Sequence, residues 1–264
     1  MFRVSCIQLC SSENVEHNFK KTKKLILKAI KQKTNFVLTP EVSSKISLDK
    51  KKLLKTATSM EKDIYLNGIK DLAKKYKIWI LIGSLILKIS KNKLVNRSIL
   101  ISSKGKIQCY YDKIHMYDAK LSTKEQYFES KLFKSGNKIK ITNLPWGKLG
   151  LSICYDLRFP GMYKKMSKRG AIFISIPSAF TETTGKKHWH TLLKARAIEN
   201  FSYIFAPVKS SYDLSKKNNN VAIIGGGDGG VARACLENNS NYIDWFELDP
   251  EIVDVCYRHL PKVC

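Results

Sequence analysis

The chain predicts an α/β protein built in layers, and three features of its sequence carry that expectation. Short runs of β-forming residues alternate with lysine-rich segments of helical periodicity, some of these runs follow one another directly, and 44% of the 264 residues are hydrophobic. A chain of this length and hydrophobicity buries a substantial core, in one large domain or two small ones. Alternation of strands and helices, with some strands adjacent, suits sheets covered by helices.

Taken in order, residues 2–9 alternate and predict a strand, and 15–32 carry Leu25, Ile26, Ala29 and Ile30 at helical spacing with lysines between. The apolar run at 35–39 stops at Pro40-Glu41, so Glu41 falls where a strand runs out into a loop. Residues 60–76 predict a helix, 77–88 and 93–103 two strands, and 106–111 a third that ends just before Lys113. A short buried strand at 149–153 stops at Cys154. A brief helix at 161–168, a strand at 171–176, a helix at 187–200 and a strand at 202–206 follow.

Composition narrows the function classes. The best candidate for a membrane span, residues 78–87, is short and interrupted by Gly83 and Ser84. The first residues lack the pattern of a signal peptide, so a soluble, cytoplasmic protein is expected. Cysteines at 6, 10, 109, 154, 235, 256 and 264 form no CxxC pair, which argues for reduced thiols rather than a disulfide framework or a zinc site. The net charge of +25 rests on lysines scattered along helix faces, so nucleic acid is not the expected partner. The charge is also uneven: residues 1–207 carry +27 and residues 208–264 carry −2.

Covalent amide hydrolysis needs a nucleophile, a group that takes and returns its proton, and a donor site for the oxyanion. Three predicted strand ends supply those types in Cys154, Glu41 and Lys113. The flanking segments TPE at 39–41, YDKIHMYDA at 111–119, FES at 128–130, SICYDLRFP at 152–160 and HWHTLLKARAIEN at 188–200 occur in order. Together they resemble the nitrilase superfamily of carbon–nitrogen hydrolases over about four fifths of the chain. The resemblance implies an αββα sandwich that pairs with a second copy, and a triad carried onto Cys154, Glu41 and Lys113. It further implies that Glu129 orients Lys113 and the substrate, without a cofactor. DLRFP, KIHMYD and the HW…ARAIEN segment are similar to the ω-amidases and deaminated-glutathione amidases, which act on small carboxylated amides. Arg158, by its planar fork, and Tyr155 are then candidate substrate-binding residues. A structural arginine pairing Asp156 or Glu199 is the other reading of Arg158, and His188 and His190 read as helix-face residues.

After the polar stretch at 208–218, which has linker composition, residues 219–260 predict a strand, a glycine-rich turn, a helix, a second strand ending at Glu247 and a second helix. Gly225, Gly227 and Gly230 meet the GxGxxG spacing, and Glu247 follows at the distance of a ribose-binding acid. GGGDGG, ELDPEIVDVC and HLP resemble the spermidine synthase family. That resemblance implies a partial Rossmann-like βαβα segment at 219–264, with Glu247 on a ribose and Asp228 near an aminopropyl amine. Weak binding of an adenosyl nucleotide related to decarboxylated S-adenosylmethionine follows from it. Aminopropyl transfer itself is not expected, since the family's N-terminal β-domain and later acidic residues have no counterpart. The alternative function is therefore an aminopropyltransferase-related or nucleotide-binding protein of polyamine metabolism. On this reading residues 1–207 form a hydrolase domain lacking its C-terminal strands, joined to the tail as a chimera or a fusion. The strand at 202–206 would then present an unpaired edge that promotes aggregation.

Overall fold

The computed structural model describes residues 2–47, 49–120, 123, 126–179, 182–209, 220–224 and 242–246. A five-stranded sheet runs in the order β1 (Val4–Cys6), β2 (Phe36–Leu38), β3 (Trp79–Ser90), β4 (Lys93–Ile101), β5 (Ile107–Asp112). Its first three strands are parallel, and β3, β4 and β5 form an antiparallel meander. The second sheet has β8 (Lys140–Leu144), β9 (Gly147–Leu151), β10 (Phe173–Ser175), β11 (Tyr203–Phe205), β12 (Asn220–Ile224) and β13 (Tyr242–Phe246) in sequential order. A hairpin of β6 (Asp118–Lys120) and β7 (Gln126–Phe128) stands apart from both.

The period of two along each strand sorts the apolar residues into layers. In β2 and β3, Val37, Ile80 and Ile82 pack with Ile26 and Ala29 of α1 (Val15–Lys31) and with Tyr65, Leu66, Ile69 and Leu72 of α3 (Ile64–Tyr76). Their neighbours Phe36, Leu38 and Leu81 join Leu149, Leu151 and Ile174 of the second sheet. Met162, Tyr163 and Met166 of α4 (Pro160–Lys168) and Trp189, Leu193 and Ala197 of α5 (Glu182–Asn200) complete that cluster. Helices on one sheet, two sheets face to face and helices on the other make an αββα sandwich. Among the described residues no helix is long and apolar enough to cross a membrane.

Several boundaries differ from expectation. The first strand covers Val4–Cys6 only, and Leu9 instead forms a parallel bridge to Lys209. Helix α3 starts at Ile64 rather than at 60, because the Asp63 carboxylate caps it by accepting the Leu66 N–H at 2.8 Å. A further helix, α2 (Lys50–Thr56), is capped by Asp49 inside a lysine-rich segment whose weak apolar pattern gave no sign of it.

The expected bare edge at 202–206 is corrected. Strand β12 lies antiparallel to β11 through Ile204 and Ile224, and β13 pairs parallel to β12 along five residues, so the second sheet does not lack strands after residue 207. Backbone N–H and C=O groups define a sheet edge, so a strand of different side-chain character can cover it. Gly225, Gly227, Asp228, Gly230 and Glu247 lie outside the described residues, as do 210–218 of the predicted linker. Val208 and Lys209, also placed in the linker, bridge Ser178 and Leu9.

Strand β3 is irregular between Ile82 and Leu85, and Gly83 and Ser84 occupy the break in register. Ser84 there serves the loop after β2: its hydroxyl accepts the Val42 N–H at 2.8 Å, its carbonyl accepts the Ser43 N–H at 3.0 Å, and its N–H donates to the Pro40 carbonyl at 3.3 Å. A Cβ on Gly83 would lie 2.0 Å from the Thr39 carbonyl oxygen and 2.6 Å from Pro177 Cβ. Gly83→Ala is therefore expected to cost about 1–3 kcal/mol, by forcing apart the loops of the two sheets. Urea unfolding measures it, and an unchanged midpoint would mean that the loop after β2 yields freely.

Candidate active site

Glu41, Lys113 and Cys154 each follow the end of a strand, β2, β5 and β9 respectively, and the sandwich brings the three ends together. Lys113 Nζ lies 3.1 Å from Glu41 Oε1 and 2.9 Å from Glu129 Oε2, and its side chain is 2% exposed. Glu129, just after the β6–β7 hairpin, also accepts the Tyr117 N–H at 2.7 Å. Asn96 of β4 donates to Glu41 Oε1 at 2.9 Å, and the Ala179 N–H donates to Oε2 at 2.9 Å. Cys154 lines the same cavity as this carboxylate. Asn96 and Ala179 sit in a strand interior and a loop, without any sequence signal that sets them apart.

Electrostatics sort these groups into distinct roles. Burial alone would favour the neutral acid at Glu41, but the Lys113 ammonium and hydrogen bonds from Cys154, Lys113 and Asn96 hold it below the ordinary carboxylate value. Burial works against the Lys113 ammonium, and the Glu41 and Glu129 carboxylates outweigh it, keeping the amine well above its usual range. Burial and then the Glu41 charge push the Cys154 thiol well up, against the opposing pull of Lys113. The resting site thus holds a carboxylate base beside a neutral thiol, with a fixed cation next to both.

Cys154 sits at φ +49° at the head of a 3₁₀ turn, Cys154–Arg158. Left-handed backbone at a non-glycine residue costs on the order of 1–3 kcal/mol and is held by its surroundings. The Cys154 N–H donates to the Pro177 carbonyl at 2.9 Å, and the following Asp156 N–H closes the turn on Ile153. The Tyr155 N–H comes next after the thiol, at a helical N-terminus where amides lack intrahelical acceptors.

The three groups open into a cavity of about 450 Å³. Tyr117, Tyr127, Phe128, Phe133 and Tyr155 supply aromatic wall, and Lys50 and Arg158 supply cations. Arg158 pairs neither Asp156 nor Glu199: its Nη2 lies 3.1 Å from His188 Nδ1, while Glu199 binds Arg196 at 2.8 Å. His188 thus has a partner at the cavity rim that its reading as a helix-face residue did not anticipate. Among the described residues, no group of three or more His, Cys, Asp or Glu side chains gathers to hold a metal ion.

A Carbon-nitrogen hydrolase family model matches residues 3–229, and a Spermine/spermidine synthase domain model matches residues 203–264. The deaminated glutathione amidase of Dictyostelium discoideum is 35% identical over 98% of this chain and 91% of its own length. The crystal structure of the Caenorhabditis elegans NitFhit protein superposes with a TM-score of 0.74 at 36% identity, covering 80% of this chain and 53% of that one. Saccharomyces cerevisiae Nit3, a member of branch 10 of the nitrilase superfamily, gives a TM-score of 0.71 at 26% identity over 81% of this chain and 77% of its own.

Removing the cation exposes what it holds together. Lys113→Met leaves the buried Glu41 carboxylate without its cation, beside a partly exposed Glu129, and is expected to cost about 3–5 kcal/mol at neutral pH. Without the ammonium, burial raises the Glu41 pKa, so the variant's folded state takes up protons as pH falls and the deficit against wild type shrinks toward about pH 5. Denaturant titrations at several pH values read it, and a deficit independent of pH would refute the assignment of charges.

Proposed function

The chain belongs to the carbon–nitrogen hydrolase family and is an amidase of the nitrilase superfamily, and from that premise we propose that it hydrolyses small carboxylated amides through a thioester on Cys154. The observation that carries the proposal is geometric: Cys154, Glu41 and Lys113 open into one cavity, with Lys113 Nζ 3.1 Å from Glu41 Oε1 and 2.9 Å from Glu129 Oε2. The amide enters the cavity with its carbonyl toward Lys113 and the Tyr155 N–H. Glu41 takes the Cys154 proton as sulfur attacks the carbonyl carbon, and the oxyanion is held by the ammonium and the amide N–H. Collapse expels ammonia, which carries off the proton from Glu41, and leaves an acyl thioester. Glu41 then takes a proton from water; the hydroxide adds to the thioester carbon, the C–S bond breaks, and sulfur regains its proton as the acid leaves.

Glu129 acts through Lys113, fixing the ammonium as a second carboxylate beside Glu41. Arg158, free of the two acids that would have made it structural, supports recognition of a substrate carboxylate, with Tyr155 and its aromatic neighbours packing the short chain between carboxylate and amide. A small substrate suits a cavity of about 450 Å³.

Ammonia release from a panel of short ω-amides tests the reaction. Cys154→Ala is expected to abolish turnover, and Glu41→Gln and Lys113→Met to lower kcat by about 1,000-fold or more each, without additivity between them. Unchanged turnover in Cys154→Ala would sink the thioester. Since Glu41 must be ionised and its carboxyl is held below the ordinary carboxylate value, the acid limb of kcat/KM is expected on the acid side of that value. An acid limb near neutrality would assign the base to another group.

A further inference from the structure

We propose that Asp156 and His115 form a positioning pair that sets the Cys154 thiol against the Lys113 ammonium; the proposal rests on the reaction just described. The nucleophile and the cation arrive from different sheets: Lys113 follows β5 of the first, Cys154 follows β9 of the second. Three hydrogen bonds join the segment around Lys113 to the turn around Cys154, and every one of them ends on the Asp156 carboxylate. The Tyr111 hydroxyl donates to Oδ2 at 2.7 Å, the His115 N–H donates to Oδ1 at 3.0 Å, and His115 Nδ1 lies 2.6 Å from the same oxygen. Tyr111 in turn accepts the Ile114 N–H at 3.1 Å, so residues on both sides of Lys113 are drawn into one network.

On the nucleophile's side, Asp156 Oδ2 also accepts the Ile153 N–H at 2.9 Å, one residue before the thiol. That bond spans the left-handed Cys154, whose backbone conformation persists only where its surroundings over-determine it. The His115 ring closes the arrangement by stacking on Phe159, 3.6 Å between centroids and 10° from parallel, at the other end of the turn.

Asp156 is fully buried, and neither it nor His115 lines the cavity, so neither touches substrate. A fully buried carboxylate is a costly way to add stability, since apolar packing does it without desolvating a charge. What it provides here is direction: two oxygens that fix one loop relative to another. The role is therefore to keep sulfur, ammonium and carbonyl carbon in reacting geometry, which a shift of about 1 Å degrades by on the order of 100-fold.

The test compares His115→Ala, which removes the ring, with His115→Asn, whose amide restores an N–H near the position of Nδ1; both retain the backbone bond. Active sites are counted by stoichiometric alkylation of Cys154 with iodoacetamide, so that kcat is expressed per competent site, and thermal unfolding is followed alongside. Expected for His115→Ala is a fall in kcat per site of about 10- to 100-fold with KM nearly unchanged, and recovery of most of that loss in His115→Asn. Asp156→Asn, if it folds, should fall at least as far as His115→Ala. A His115→Ala protein with a lower unfolding temperature but normal kcat per site would overturn the proposal and leave the pair a simple brace. Equal losses in His115→Ala and His115→Asn would overturn it as well. Should the wild-type protein release no ammonia from any amide, the rate of Cys154 alkylation decides the matter independently: a slower or faster rate in His115→Ala than in wild type would support the pair, and the same rate in both would show that it does not set the thiol's position.

Discussion

A single ammonium, held between two carboxylates and shut away from water, is the constraint on which the site is built. Bringing Glu41, Glu129 and Lys113 out of solvent costs several kcal/mol for each ion, and the cost is offset only when the ions meet at hydrogen-bond distance. Lys113 Nζ reaches both carboxylates, and Asn96 and the Ala179 amide satisfy the remaining lone pairs of Glu41. Removing the ammonium leaves Glu41 buried without its cation, whereas removing either carboxylate leaves Lys113 paired with the other. The same fields favour an ionised Glu41, a protonated Lys113 and a neutral Cys154.

Two sheets facing each other make that convergence possible. Parallel strands carry Glu41 and Cys154 to their C-terminal ends, while the meander brings Lys113 back beside Glu41. The backbone does as much as the side chains at the seam. The break in register at Gly83 and Ser84 lets β3 approach the loop after β2 closely enough for its backbone and the Ser84 hydroxyl to hold that loop. The aromatic wall and the rim cations come from the turn after Cys154, from α2 and from the residues around the β6–β7 hairpin, elements outside both sheets. Chemistry thus rests on the sandwich, and the lining of the cavity on its attachments.

The segment after residue 207 has two affinities. Its Spermine/spermidine synthase match begins at residue 203, while the Carbon-nitrogen hydrolase match runs on to residue 229, so the two overlap across β11 and β12. In the structure β12 and β13 extend the second sheet beyond β11. Sheet pairing asks for backbone groups and alternation rather than family identity, so a strand with the sequence of one family can close an edge in the fold of another. The glycine-rich spacing remains a property of the sequence.

By itself the sequence pointed to a layered α/β architecture with Glu41, Lys113 and Cys154 at strand ends, because strand ends are local patterns. Its resemblance to the nitrilase superfamily implied the αββα class and added Glu129 as a group to consider. Helix boundaries were legible to within a few residues wherever lysines alternate with a clear apolar stripe, as in α1. The weakly patterned α2, the cap at Asp63 and the edge covered by β12 were not, since each depends on contacts that periodicity does not encode. Only the tertiary structure decided that Asn96 and Ala179 bind Glu41, that Ser84 holds the loop carrying it, that Arg158 meets His188 rather than an acid, and that Asp156 binds Tyr111 and His115. The reason is physical: a residue's type and neighbours set what it can donate or accept, whereas its partner is whichever group the packing of two sheets places within about 3 Å, and distances across 41 or 138 residues of chain are set by the fold alone.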